Sequence, residues 1–227
     1  MMISLKTFGN NIETIRIFIN NMSNKKSLKQ YILFVIGLMF FSLGLCFSNR
    51  SLLGTNPMGV FVSGISITFA ITFGTANFIV NVFEVLTGYI LDKKNVTIAS
   101  ILSVVLGSYL IDFAALFIPT TDSLMVRIIY MILGILSYCL GIAIQQHAKC
   151  GYGGLDCFIF GLAKLFKIKE YYRIRWIVDG FFLITGFLLH GVINVGTLIL
   201  VVFGGLIIQN MKRIIDNLSI GRWKDWE

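Results

Sequence analysis

Two copies of one pattern fill this chain, and the copies carry their positive charges in different loops. Gly44, Gly54, Phe61 and Gly64 recur 97 positions later as Gly141, Gly151, Phe158 and Gly161. The same register carries Phe69 onto Phe166 and Ile71 onto Ile168. A one-residue slip then pairs Thr87-Gly88 with Thr185-Gly186, and the first register returns where residues 103–107 match 200–204. The chain is also too apolar for water. Its mean hydropathy is +0.84 and only 13% of its residues are charged, about half the share of a soluble domain. A repeat in such a chain points to a polytopic membrane protein built by duplication, with the bilayer as solvent.

The net charge of +8 does not indicate nucleic acid. The Lys and Arg residues flank apolar spans, and no basic stripe with interleaved aromatics stands apart from them. Residues 1–29 mix Lys6, Arg16, Lys25, Lys26 and Lys29 with Asn and Ser and lack a signal-peptide pattern. Ile12, Ile15, Phe18 and Ile19 are spaced for a weak amphipathic helix on the cytoplasmic surface, a frayed polar tail being the alternative. Trp223 and Trp226 alternate with Arg222 and Lys224, which suits a headgroup anchor. Cys46, Cys139, Cys150 and Cys157 match no zinc or redox spacing and read as small core residues.

Six stretches have the length and apolarity of spans: about 30–49, 76–91, 96–118, 124–146, 171–190 and 194–211. Two further apolar stretches, 57–72 and 155–166, reach only about 24 and 18 Å as helices. Each follows a glycine-rich break, Gly54-Thr55-Asn56-Pro57-Met58-Gly59 in copy one and Gly151-Tyr152-Gly153-Gly154 in copy two. Asn56 before Pro57 reads as an N-cap with proline in the first turn. The stretches read as half-helices that enter the membrane without crossing it.

Charge placement supports opposite orientations for the copies. Lys164, Lys167, Lys169, Arg173 and Arg175 of copy two face Ile67, Ala70, Thr72, Ala76 and Phe78 at the same offset. Lys93 and Lys94 of copy one face Gly191 and Val192, and Lys212-Arg213 face Ala115 and Leu116. Because Lys and Arg accumulate on the cytoplasmic side, these swaps fit six crossings with both termini cytoplasmic. Eight crossings, both copies sharing one orientation, is the alternative. The expected fold is all-α: a transmembrane bundle of two inverted repeats, each of three spans plus one re-entrant half-helix. A cytoplasmic segment 1–29, repeats 30–118 and 124–211, and a cytoplasmic tail 212–227 make up the chain.

Ionisable groups inside a span are costly and mark function. Glu84 lies mid-span with Asn81 one turn earlier; it has no cation nearby in sequence and reads as a proton- or cation-coupling carboxylate, a Glu hydrogen-bonded to a neighbouring helix or to water being the alternative. The repeat places Asp179 opposite Asn81. Arg175 stands four residues before Asp179, where an ion pair lowers the insertion penalty of both. Asp156 falls in the first turn of the second half-helix, as a cap or a binding group. Half-helix starts that face each other form a common plan for a transport site, lined here by Thr55, Asn56, Tyr152, Gly153 and Asp156. The alternative is a packing break, the work also expected of Gly180, Gly186, Gly196, Gly204 and Gly205. Asp112 reads as interfacial. His147 and His190 receive no role.

In the second copy, Gly151-Tyr152-Gly153-Gly154-Leu155-Asp156, then Arg175 with Asp179, Gly186, Gly191 and Gly196-Thr197, resemble the ordered motifs of the YczE/YyaS/YitT family of bacterial integral membrane proteins. Asn194 stands where the last motif has its first glycine. In copy one, Gly54-Thr55-Asn56-Pro57-Met58-Gly59 resembles the same turn, with Gly59 where the family often has Asp. The resemblance covers residues 31–211 and implies a multispanning bacterial plasma-membrane protein.

The expected function is a small-solute transporter or permease working by alternating access; a non-transporting scaffold or accessory factor is the rival. No nucleophile–base pair, metal-ligand cluster or nucleotide motif appears, so an enzyme, a cofactor and a metal are not expected. The expected partners are the bilayer and a small solute, with a homo-oligomer allowed.

Overall fold

The computed structural model describes residues 28–168 and 171–219. The expected surface helix at Ile12–Ile19, the tail with Trp223 and Trp226, and Lys169 lie outside the described residues. Eight helices run through the described residues: α1 (Leu28–Ser51), α2 (Pro57–Phe69), α3 (Phe73–Leu91), α4 (Ile98–Ala115), α5 (Leu124–Ala148), α6 (Gly154–Leu165), α7 (Tyr171–Leu188) and α8 (Val195–Ser219). Within α4, Ser103–Gly107 forms a π-turn.

Five of these, α1, α3, α4, α5 and α8, are long and apolar enough to cross a membrane. α7, the remaining expected span, has 18 residues, about 27 Å of helix. It carries Arg173, Arg175 and Asp179, so apolarity alone does not mark it. α2 and α6 have 13 and 12 residues, about 20 and 18 Å, short of a roughly 30 Å hydrocarbon core. α2 starts on the Asn56 cap, whose side chain accepts from the Gly59 N–H, and stops at Ala70 in the left-handed region. The breaks before α2 and α6 turn on Gly54 (φ 98°) and Gly151 (φ 147°), where a side chain is disfavoured.

α1 and α5, equivalent in the two copies, pack antiparallel. A Cβ on Gly37 would lie 3.0 Å from Gln145, one on Gly44 2.3 Å from the Tyr138 nitrogen, and one on Gly134 2.4 Å from Ser48 Oγ. One on Gly141 would lie 2.3 Å from the Phe41 nitrogen. Ascending numbers on α1 meet descending numbers on α5. Under the 97-residue offset, the Gly44–Tyr138 contact maps onto Gly141–Phe41, and Gly37–Gln145 onto Gly134–Ser48.

The half-helices exchange partners. α2 packs against α7, and its counterpart α6 packs against α3, the counterpart of α7. Glycines set both approaches. A Cβ on Gly186 would lie 2.7 Å from the Phe61 nitrogen, and one on Gly88 2.8 Å from the Cys157 carbonyl. The apolar core lies between these pairs and the α1–α5 axis, with Leu45, Met58, Val62, Val80, Ile135 and Phe182 buried in one cluster.

The copies differ at their last helices. α4 packs against both α1 and α3, whereas α8 lies chiefly against α5. In the most apolar window of α4, 44% of residues are buried, against 11% for α8. The packing role expected of Gly180 and Gly205 is therefore corrected: a Cβ at either would meet nothing within 4 Å. Gly204 has only Leu200 of its own helix nearby, at ordinary contact distance. Gly196 does pack, its N–H donating to the Leu53 carbonyl at 2.7 Å.

Candidate functional site

A tyrosine of α5 holds the start of the first half-helix. Asn56 Nδ2 donates to the Tyr138 hydroxyl at 3.0 Å, while its Oδ1 accepts from the Gly59 N–H and from Thr55 Oγ1, both at 3.2 Å. Thr55 and Asn56 are buried. Tyr138, near the middle of α5, lies within electrostatic reach of Arg175, Asp179 and Asp156. One buried phenol therefore touches the α2 cap and faces the charged groups beside α6.

Those charged groups form a triad. Arg175 Nε donates to Asp179 Oδ2 at 3.0 Å, one turn along α7, and Arg175 Nη1 lies 3.5 Å from Asp156 Oδ1 in the first turn of α6. Their side chains retain 24 to 34% of their exposure, so the triad is not sealed.

Glu84 is different. It is wholly buried, and among the described residues neither carboxylate oxygen has a hydrogen-bond partner. It faces the start of α6: a Cβ on Gly154 would lie 3.1 Å from Glu84 Oε2 and 2.6 Å from Asn81 Oδ1. Only glycine at 154 admits both polar groups of α3 against the helix start. Arg175 and Asp156 act on Glu84 electrostatically, supplying from other elements the cation that its own sequence neighbourhood lacks. Asn81 Nδ2 donates to the Asn77 carbonyl at 2.9 Å. Beside the helix start, a Cβ on Gly153 would meet nothing within 4 Å, so space is open there.

Of the residues singled out from sequence, the fold gathers Glu84, Asn81, Asp156, Arg175 and Asp179 around the start of α6. Thr55 and Asn56 stand at the start of α2. Tyr152 contributes backbone: its carbonyl accepts from Ser100 Oγ at 2.6 Å, while its exposed ring lies against Phe160. Asp112 has a more specific place than an interface, since its Oδ1 accepts from the Gly74 N–H at 2.8 Å and its Oδ2 from Thr72 Oγ1 at 2.6 Å, at the start of α3. His147, given no role, meets Asp216 of α8. Tyr138 was missed, although it shares a helix face with Gly134 and Gly141. Thr197 was missed as a buried group beside Gly54.

Removing the Tyr138 hydroxyl strands one N–H of buried Asn56. Tyr138→Phe is expected to cost about 1–3 kcal/mol, read as a lower thermal midpoint in detergent. An unchanged midpoint would mean that the bond adds nothing to the fold.

Comparison with known proteins places this geometry in a family. The family described as "Family of unknown function (DUF6198)" matches residues 28–213. The chain is similar to the uncharacterized protein YyaS of Bacillus subtilis, 25% identical over 190 residues, which cover 82% of this chain and 94% of that protein. It is also similar to an uncharacterized protein of Haemophilus influenzae, 25% identical over 166 residues, which cover 73% of this chain and 75% of the relative. The motif resemblance and the Bacillus relative share the name YyaS. No solved structure matches.

Proposed function

The chain belongs to the DUF6198 family of unknown function, and we propose from its geometry that it is a small-solute transporter working by alternating access. In this reading α7 crosses the membrane with the five apolar helices, and α2 and α6 enter from opposite sides without crossing. The two repeats are inverted about an axis in the membrane plane, in the plasma membrane, with both termini cytoplasmic. The antiparallel pairing of α1 with its counterpart α5 supports inversion, because equivalent helices of same-way-up repeats would run parallel. Placing Lys93, Lys94, Lys164, Lys167, Lys212 and Arg213 on one side also supports it.

One observation carries the transport reading. The starts of both half-helices, with Asn56, Tyr138, Asp156, Arg175, Asp179 and Glu84, converge half-way along the long helices. Inverted-repeat transporters keep their solute sites in such a place. Among the described residues the site sets three carboxyl groups, Glu84, Asp156 and Asp179, beside the Arg175 guanidinium, which favours a neutral or cationic solute over an anion. We read the site as binding its solute without chemical conversion, with Glu84 as the coupling carboxylate.

A thermal-shift screen of purified protein against metabolites and antibiotics identifies the solute; a ligand at 100 times its Kd stabilises by about 2.7 kcal/mol. In reconstituted vesicles, Glu84→Gln is expected to reduce proton-driven flux of that solute to the level of protein-free vesicles. Unchanged flux would remove Glu84 from the mechanism. Wild-type vesicles that bind solute but never move it would favour the scaffold instead.

A further inference from the structure

Glu84 stands at the inner end of a polar file that runs along α3 to the protein surface. Asn77, Asn81 and Glu84 lie on one face of α3, at helical spacing. α4 sets Ser108 and Asp112, one turn apart, against the same stretch. Thr72 Oγ1 donates to Asp112 Oδ2 at 2.6 Å at the exposed end. Asn77 Nδ2 donates to Ser108 Oγ at 3.0 Å, and Asn81 Nδ2 to the Asn77 carbonyl at 2.9 Å. Asn77, Asn81 and Ser108 are 2%, 7% and 4% exposed, and Glu84 is 0% exposed. Beyond Glu84 come Gly154 and the open space at Gly153.

Packing alone does not call for this file. Each buried polar group costs free energy that an apolar residue of similar size avoids, and the last of the series, Glu84, has no hydrogen-bond partner among the described residues. The backbone is also altered beside it. The π-turn Ser103–Gly107 ends immediately before Ser108, and π-turns within α-helices occur frequently at functional sites. Ser42 Oγ donates to the Gly107 carbonyl at 3.0 Å.

We propose that this file is a proton path, by which Glu84 exchanges its proton with the side of the membrane at which Thr72 and Asp112 lie. Naming that side extracytoplasmic rests on the topology proposed above. A proton from outside water enters at Asp112, passes through water oriented by Ser108, Asn77 and Asn81, and neutralises the Glu84 carboxylate. It leaves towards the central site. The groups facing Glu84 from packed elements are Asp156 and Cys157 on α6 and Arg175 on α7; Asp179 lies beyond Arg175, and α4 contributes Asp112 at the mouth.

The path is tested without a transport assay. Dicyclohexylcarbodiimide reacts with protonated carboxyl groups in apolar surroundings, and mass spectrometry locates the adduct. In right-side-out membrane vesicles with internal pH clamped, labelling of Glu84 is expected to rise with external acidification. The rise is about tenfold per pH unit while the anion predominates. Glu84→Gln loses the adduct. Ser108→Val and Asn77→Leu, which plug the file, are expected to remove the dependence on external pH while keeping a cooperative thermal transition.

Labelling that follows internal pH alone, external dependence that survives both plugging substitutions, or protection by Na⁺ at constant pH would each overturn the path. If the plugging variants do not fold, the sidedness of wild-type labelling decides. Labelling as expected in a protein that moves no solute would sink the transport reading and leave the path standing. Transport with labelling from the inside would do the reverse.

Discussion

Replacing Gly44 with valine is expected to leave no folded protein. A Cβ there would lie 2.3 Å from the Tyr138 nitrogen and 2.6 Å from its Cα, so the clash is with backbone and no rotamer relieves it. α1 and α5 would have to separate at the middle of the molecule. The expected cost exceeds about 4 kcal/mol, the exceptional range for one substitution, and is a large part of a typical total stability. Gly141→Val, the image of Gly44→Val, should fail equally, since its Cβ meets the Phe41 nitrogen at the same 2.3 Å. Gly205→Ala, with open space around it, should change stability by no more than about 0.5 kcal/mol. Size-exclusion profiles in detergent across a temperature ramp separate these outcomes. A monodisperse Gly44→Val protein with an unaltered midpoint would refute the α1–α5 packing.

Arg175→Ala is expected to produce the second-largest loss. It removes the triad's guanidinium and leaves Asp179 without its ion-pair partner one turn away. Breaking a buried pair from one side costs about 3–5 kcal/mol. The triad keeps a quarter to a third of its side-chain exposure, which places the loss near 3 kcal/mol, at the lower end of that range. Adding Asp179→Asn should recover part of it, because the stranded charge is then absent; the double variant should be more stable than Arg175→Ala alone. Strict additivity of the two losses would show that Arg175 and Asp179 do not act as a pair. Arg175→Lys should fall between, since an ammonium cannot match the fork that reaches both carboxylates.

Much of this architecture was legible because glycine leaves a trace. Gly44 and Gly141, and Gly88 and Gly186, recur because backbone approaches side by side tolerate nothing larger, so the duplication survives where packing is tightest. The Arg175–Asp179 pair was legible because both residues lie on one helix four apart. Which helix meets which was not legible. Asn56 and Tyr138 are 82 positions apart, and no local periodicity reports such a pair. Nor does the repeat say that α2 packs more extensively on α7 than on its neighbour α3. The π-turn in α4 lacks a residue pattern, and Asp112 looked interfacial because the α3 start that it reaches lies 38 positions earlier. That Glu84 is buried with no hydrogen-bond partner among the described residues was not legible, although a carboxylate amid so apolar a stretch was.

The exchange of half-helices also governs the order of events during synthesis. When the ribosome has delivered only the first repeat, α1 lacks α5, and α2 and α3 lack the helices that they grip. In the membrane reading proposed above, the glycine faces of α1 and α3 that meet α5 and α6 then wait in lipid until their mates arrive from the later half of the message. Nascent chains ordinarily complete their N-terminal units first, but here several of the tightest glycine contacts of the first repeat are with helices of the second. On the topology proposed above, the first helices leave the insertion machinery without these partners, and the molecule closes only when its second half is inserted.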